Sequence, residues 1–250
     1  MKRFLSIRLA VVAMAIVLGL LSGPQTAKAV VIATENFSYA NGALSGANGD
    51  FGWSTAWSGT ATVSGGVAVT GNTNGFRNLT TPIVPTAGQR VYARMNFSAD
   101  PSQVNDFAGL SFFSGAGERA LIGLPFNLNT YGWNVTGASQ AGSSVAASTT
   151  PVDLLGEFIF NSSSNLTLNV YLNTAAGLGS PISTYTGSMA TGNWDRIRIA
   201  SGTLAGTSAT FDNIRIGTTL GDVGFIPEPT TLLGVVASGG LFMMRRRRMA

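Results

Sequence analysis

Cysteine and histidine are both absent from this 250-residue chain. Their absence excludes disulfides, Ser-His-Asp and Cys-His catalytic pairs, and imidazole or thiolate ligands for a metal. Carboxylate chemistry and an oxygen-ligated cation such as calcium stay open, with no other cofactor expected. Charge is scarce too: Asp, Glu, Lys and Arg make up only 10% of the residues. The 15 basic residues crowd at the ends, with Lys2, Arg3, Arg8 and Lys28 at one and Arg245, Arg246, Arg247 and Arg248 at the other. The body keeps seven arginines against 10 of the 11 acids, so the net +4 belongs to the ends. No basic stripe remains to neutralise phosphates, which argues against nucleic acid as a partner. Helical periodicity is also missing from the body.

Both ends read as targeting devices. At the N-terminus a basic patch precedes an apolar run over residues 9–21, broken by Gly23-Pro24. Ala27-Lys28-Ala29 then offers the small-x-small pattern of a signal peptidase site, with cleavage expected after Ala29. At the C-terminus, residues 230–244 are largely apolar. As a helix they would extend roughly 22 Å at about 1.5 Å per residue, short of the ~30 Å hydrocarbon core. The four following arginines can lengthen the span by snorkelling and hold that end in the cytoplasm. Pro227 and Pro229 lack N–H donors and favour an extended Glu228 between them, accessible at the outer face.

This order of Pro227-Glu228-Pro229, apolar helix and arginine cluster resembles the PEP-CTERM sorting signal of exosortase substrates. The resemblance implies transient insertion in the inner membrane, processing by exosortase, and release or attachment at the cell surface. It also implies an association with exopolysaccharide. A plain C-terminal anchor is the alternative that the same physics permits. The expected organisation is a signal peptide over 1–29, a domain over 30–224 and a sorting segment over 225–250.

The body alternates with period 2. In 91–98, Val91, Ala93, Met95 and Phe97 share one face, and in 166–173 Leu166, Leu168, Val170 and Leu172 do. Ile197/Ile199 and Ile214/Ile216 repeat the pattern in 194–200 and 209–217. Further strands are expected over 63–70, 107–113, 119–124, 131–135 and 152–160. About ten antiparallel strands with one wet and one dry face imply an all-β, two-sheet sandwich, with helical targeting segments at both ends. The Gly-Trp entry at 52–53 and the closing "FDNIRIG" resemble concanavalin A-like (laminin-G-like) jelly rolls. That family's fold serves lectins, adhesion modules and some glucanases, and the fold alone cannot choose among them.

Three sets of residues are candidates for a site. Trp53 and Trp57, with Trp133, offer indole faces suited to stacking on a sugar, or else plug the core. Asp195 and Asp212 share strand phase with inward isoleucines and would approach one calcium ion if their strands were neighbours. Otherwise each carboxylate caps backbone N–H groups or pairs with an arginine. Glycoside hydrolysis needs two carboxylates about 5–10 Å apart, and Glu118 and Glu157 stand alone in the sequence. The expectation is therefore an exported, non-enzymatic surface or matrix protein, structural or adhesive within exopolysaccharide. A lectin-like glycan-binding module is the alternative, and a hydrolase comes third.

Overall fold

The computed structural model describes residues 29–100, 106–172, 178–202 and 208–225. Their strands are β1 (Val31–Glu35), β2 (Gly42–Ala43), β3 (Ser58–Gly59), β4 (Thr62–Ser64), β5 (Val67–Gly71), β6 (Asn74–Ile83), β7 (Arg90–Ala99) and β8 (Ala108–Ser114). There follow β9 (Gly117–Leu124), β10 (Thr130–Val135), β11 (Ser139–Ala146), β12 (Val152–Ser162), β13 (Asn165–Leu172), β14 (Ser183–Ser188), β15 (Trp194–Ser201) and β16 (Ser208–Gly217). One sheet has nine strands in the order β14-β13-β12-β7-β16-β5-β4-β2, with β1 paired to β16. The other has seven, in the order β11-β10-β9-β8-β15-β6-β3. Pairing is antiparallel throughout the named strands, and the two sheets face each other as a sandwich, as the period-2 pattern requires.

The inward phase is the one read from the sequence. Val91, Ala93, Met95 and Phe97 of β7 are wholly buried, as are Leu166, Leu168 and Val170 of β13. An aromatic knot ties the sheets together: Trp194 and Phe112 of one sheet pack on Phe158 and Phe160 of the other, with ring centroids 4.9–5.2 Å apart. Among the described residues the main core cluster spans residues 33–216. A smaller apolar cluster lies on the outer face of the nine-stranded sheet. There Val223 and Phe225 cover Tyr92, Leu155 and Tyr171.

Two local expectations fail for physical reasons. Residues 63–70 are not one strand, because Gly65 and Gly66 (φ 62° and 81°) turn the chain between β4 and β5. That left-handed pair suits a two-residue hairpin loop. Asp195 and Asp212 do not share phase with the inward isoleucines. A bulge between Trp194 and Arg196 brings Trp194 and Ile197 inward together, and another between Asp212 and Arg215 does the same for Phe211 and Ile214. The extra residue at each bulge rotates the carboxylate out of the core phase.

Candidate functional site

The outer face of the seven-stranded sheet carries two parallel rows of residues. Across β15, β8, β9, β10 and β11, one row in register reads Ala200, Gly109, Gly123, Gly132, Gly142. The next row reads Arg198, Ser111, Leu121, Asn134, Gln140. The glycines are forced by close approach of backbones. A Cβ on Gly123 would lie 2.6 Å from the Gly109 Cα, and one on Gly132 would lie 2.8 Å from the Gly142 Cα. The strands of this row therefore pass too close for a side chain to stand between them, and Gly109, Gly123 and Gly132 are buried.

The second row forms one wall of a trough, a cavity of about 220 Å³ lined by Phe107, Glu118, Leu121, Phe126, Asn134 and Arg198. Phe107 immediately precedes β8 and Phe126 follows β9, so both stand at the strand ends beside the glycine row. Asn134 Nδ2 donates to Gln140 Oε1 (3.2 Å), and Gln140 Nε2 donates to the Phe126 carbonyl (2.7 Å). Arg198 donates to Glu118 Oε2 (2.6 Å) and Ser111 Oγ (3.3 Å). Its guanidinium lies 5.0 Å from the Phe113 ring and 5.2 Å from Phe107, while Arg196 lies 4.7 Å from Phe76 and 5.1 Å from Phe113. Cations and rings thus alternate along the wall. Burial pushes the Glu118 carboxyl above its usual range against the pull of Arg198 and Ser111. Burial, opposed by Glu118, lowers the Arg198 guanidinium.

The sequence-derived candidates fall elsewhere. Trp57 is buried, and its Nε1 donates to Glu35 Oε2 (2.8 Å). Trp53 donates to the Thr34 carbonyl (2.7 Å) and packs on Trp57. Arg77, paired with Glu35, lies beside both, its guanidinium 5.0 Å from the Trp53 ring and 5.8 Å from that of Trp57. Trp57 plugs the fold beside this buried ion pair, while Trp53 is partly exposed. Trp133 is 4% exposed and stacks on Tyr185 from the core side. Asp195 belongs to the seven-stranded sheet and accepts the Gly115 N–H (3.1 Å). Asp212 belongs to the nine-stranded sheet and accepts the Asn213 N–H (2.7 Å) and Nδ2 (2.9 Å). A shared cation required neighbouring strands, and these two lie in different sheets: Asp195 caps the β8–β9 turn and Asp212 its own bulge. Among the described residues no group of three carboxylates could hold a metal ion. Glu157 is buried under four donors, namely Arg90, Tyr92, Asn169 and Tyr171. Ala27, Pro227, Glu228, Pro229 and the arginine cluster lie outside the described residues, and Ala29 is exposed at their border.

Sequence reasoning missed Arg198, Asn134 and Gln140 as a set. The available signal was positional: Gly132 and Asn134 share the outward phase of β10, as Gly109 and Ser111 do in β8. Only the strand order brings those phases together.

No family model matches the chain, and no curated protein matches it. Solved structures do. An endo-β-1,4-glucuronan lyase from the fungus Trichoderma reesei is 12% identical, covering 76% of this chain and 98% of that one, with a TM-score of 0.44. The exoplasmic/lumenal domain of VIP36 in its Ca²⁺/Man-bound form is 10% identical, covering 66% and 82%, at 0.43. An alginate lyase from Corynebacterium sp. is 13% identical, covering 62% and 79%, at 0.42. Likeness at this level says nothing of what this chain binds.

Proposed function

We propose that this chain is an exported matrix or cell-surface protein whose seven-stranded sheet holds a polysaccharide chain on its outer face. The observation that supports it is the trough. The amide of Asn134, the carboxylate of Glu118 and the guanidinium of Arg198 line it together with the rings of Phe107 and Phe126. An extended sugar polymer needs that combination: room for its rings, apolar faces to stack on and fixed polar groups for its hydroxyls. The signal-peptide pattern and the Pro227-Glu228-Pro229 tail support export and an adhesive role beside exopolysaccharide.

Residues 30–225 titrated with soluble glucan, xylan and polygalacturonate, with and without calcium, test the reading. Saturable binding to at least one of them, weakened tenfold or more by Asn134→Ala with Arg198→Ala, is expected. No binding, or binding indifferent to both substitutions, overturns it. Mass spectrometry of the host's own material tests export, since residues 1–29 and the arginine cluster should both be gone.

One observation favours a hydrolytic second reading, the raised carboxyl of Glu118 inside the cavity. Among the described residues no second carboxylate lines that cavity, however, and glycosidase chemistry uses two. Sugar release abolished by Glu118→Gln would favour the hydrolase over the binding module.

A further inference from the structure

The opposite face of the molecule carries a second cavity, of about 330 Å³, on the outside of the nine-stranded sheet. Arg94, Asn96, Asp153, Asn213, Arg215 and Gly224 line it. Arg94 of β7 and Arg215 of β16 are direct cross-strand partners. Like charges opposite each other on a sheet destabilise it unless something neutralises them. Asp153 neutralises one, accepting from Arg94 NH2 at 2.9 Å. Asp212, the other acid nearby, is turned to the Asn213 N–H and Nδ2 by its bulge. Arg215 has no carboxylate partner among the described residues. Arg94 is also held by the carbonyls of Val223 (3.3 Å) and Gly224 (3.2 Å), so its fork is fixed before any ligand arrives. The amides of Asn96 and Asn213 stand beside the pair, and Asn213 is kept in a left-handed conformation (φ 49°) by the bulge. Asp153 and Asp212 balance the two arginines in number, but only Arg94 has its carboxylate in contact, in a roomy, polar and pre-arranged pocket.

We propose that this pocket is a carboxylate-binding site, in which Arg215 forms a two-pronged pair with the ligand while Arg94, Asn96 and Asn213 fix its orientation. Arginine's planar fork matches a planar carboxylate, and a site already ordered loses little entropy on binding. Two sources supply that chemistry. One is a uronate unit of an acidic polysaccharide. The other is Glu228 of this chain, three residues beyond Phe225, where the described segment ends beside Gly224. The site stands on observations separate from the trough, so it survives the failure of the trough reading.

The test titrates sodium glucuronate into residues 30–225, which contain the whole core, following the amide signals of Asn96 and Asn213 by NMR. Saturable shifts at those two residues are expected, with affinity at least tenfold weaker in Arg215→Ala and unchanged in Arg119→Ala, on the other sheet. Repeating the titration with residues 30–229, with and without Glu228→Gln, distinguishes the sources. If the chain's own Glu228 is the occupant, glucuronate binds 30–229 several-fold more weakly than 30–225, and Glu228→Gln restores it. Equal affinity for 30–225 and 30–229 assigns the site to an external uronate. No shifts at Asn96 and Asn213, sulfate binding as tightly as glucuronate, or an unaffected folded Arg215→Ala overturns the carboxylate site.

Discussion

Glu35–Arg77 and Glu118–Arg198 are the same chemical pair in two settings. Around Glu35 the carboxylate accepts from the Phe37 N–H (2.9 Å), Tyr39 (3.1 Å), Trp57 (2.8 Å) and Arg77. Arg77 then donates to the Thr55 carbonyl (3.0 Å), Asn48 Oδ1 (2.7 Å) and the Gly49 carbonyl (2.8 Å), and both side chains are 0% exposed. Around Glu118 the partners are fewer, the two side chains are 23% and 17% exposed, and Arg198 Nε has no partner among the described residues. A saturated pair can only hold the fold together. An open pair can exchange one partner for a ligand.

The largest expected effect breaks the closed pair. Arg77→Met strands the Glu35 carboxylate in the core and should cost about 3–5 kcal/mol, read from urea unfolding. Arg198→Met should cost far less, because water reaches Glu118. Equal losses would erase the distinction. Next comes the glycine row. Gly132→Val drives a side chain into the backbone of β11 and should cost about 1–3 kcal/mol by overpacking. Gly179→Ala, which has open space around its Cβ, serves as the neutral control.

A third test sets Glu118 against Glu157. Burial raises the Glu157 carboxyl, but Asn169, Tyr92, Tyr171 and Arg90 outweigh it and leave it lowered. Burial and the Glu157 charge push the Tyr171 phenol up to about 12, so it stays a donor. A carboxyl depressed on folding adds stability above its unfolded value of 4.5, and that stability fades as pH falls through the lower folded value. Glu118, raised on folding, has the opposite sign: its contribution weakens as pH climbs past 4.5. Glu157→Gln should therefore cost about 1–3 kcal/mol at pH 7 and progressively less as pH falls through the lowered folded value. Glu118→Gln should flatten a slope of the other direction. Stability measured against pH for both variants checks the pair of signs.

The sandwich was legible where alternation was strong, and it failed where other forces set the phase. β7 and β13 carry apolar residues at every second position, so their inward faces followed directly. β6 did not read as a strand because its inward phase is Gly75, Arg77 and Leu79, and an arginine satisfied only in three dimensions breaks the hydrophobic pattern. β11 and β14 are rich in Ser, Thr and Gly and lie at sheet edges, where no second layer demands apolar residues. The trough was illegible for another reason. Its rows run across strands, and register between β8, β9, β10 and β11 is a tertiary quantity. Asp195 and Asp212 misled because a bulge adds one residue and inverts the phase that alternation assigns.

The smallest expected effect bears on those two aspartates. If Asp195 only caps Gly115, which it reaches from the far side of the β8–β9 turn, Asp195→Ala removes one charge-assisted contact at a partly exposed site. The cost should be about 0.5–1.5 kcal/mol, and adding calcium should leave the unfolding midpoint of both wild type and variant unchanged. A shared ion would behave differently. It would bind only the folded state, raise the midpoint with concentration, and lose that effect in Asp195→Ala and Asp212→Ala alike. The two carboxylates occupy different sheets and each already points at backbone it must satisfy, so bringing them to one ion would leave the β8–β9 turn and one bulge uncapped. A calcium-dependent midpoint abolished by either substitution would mean that the sheets rearrange on binding and that these capping contacts are a resting state.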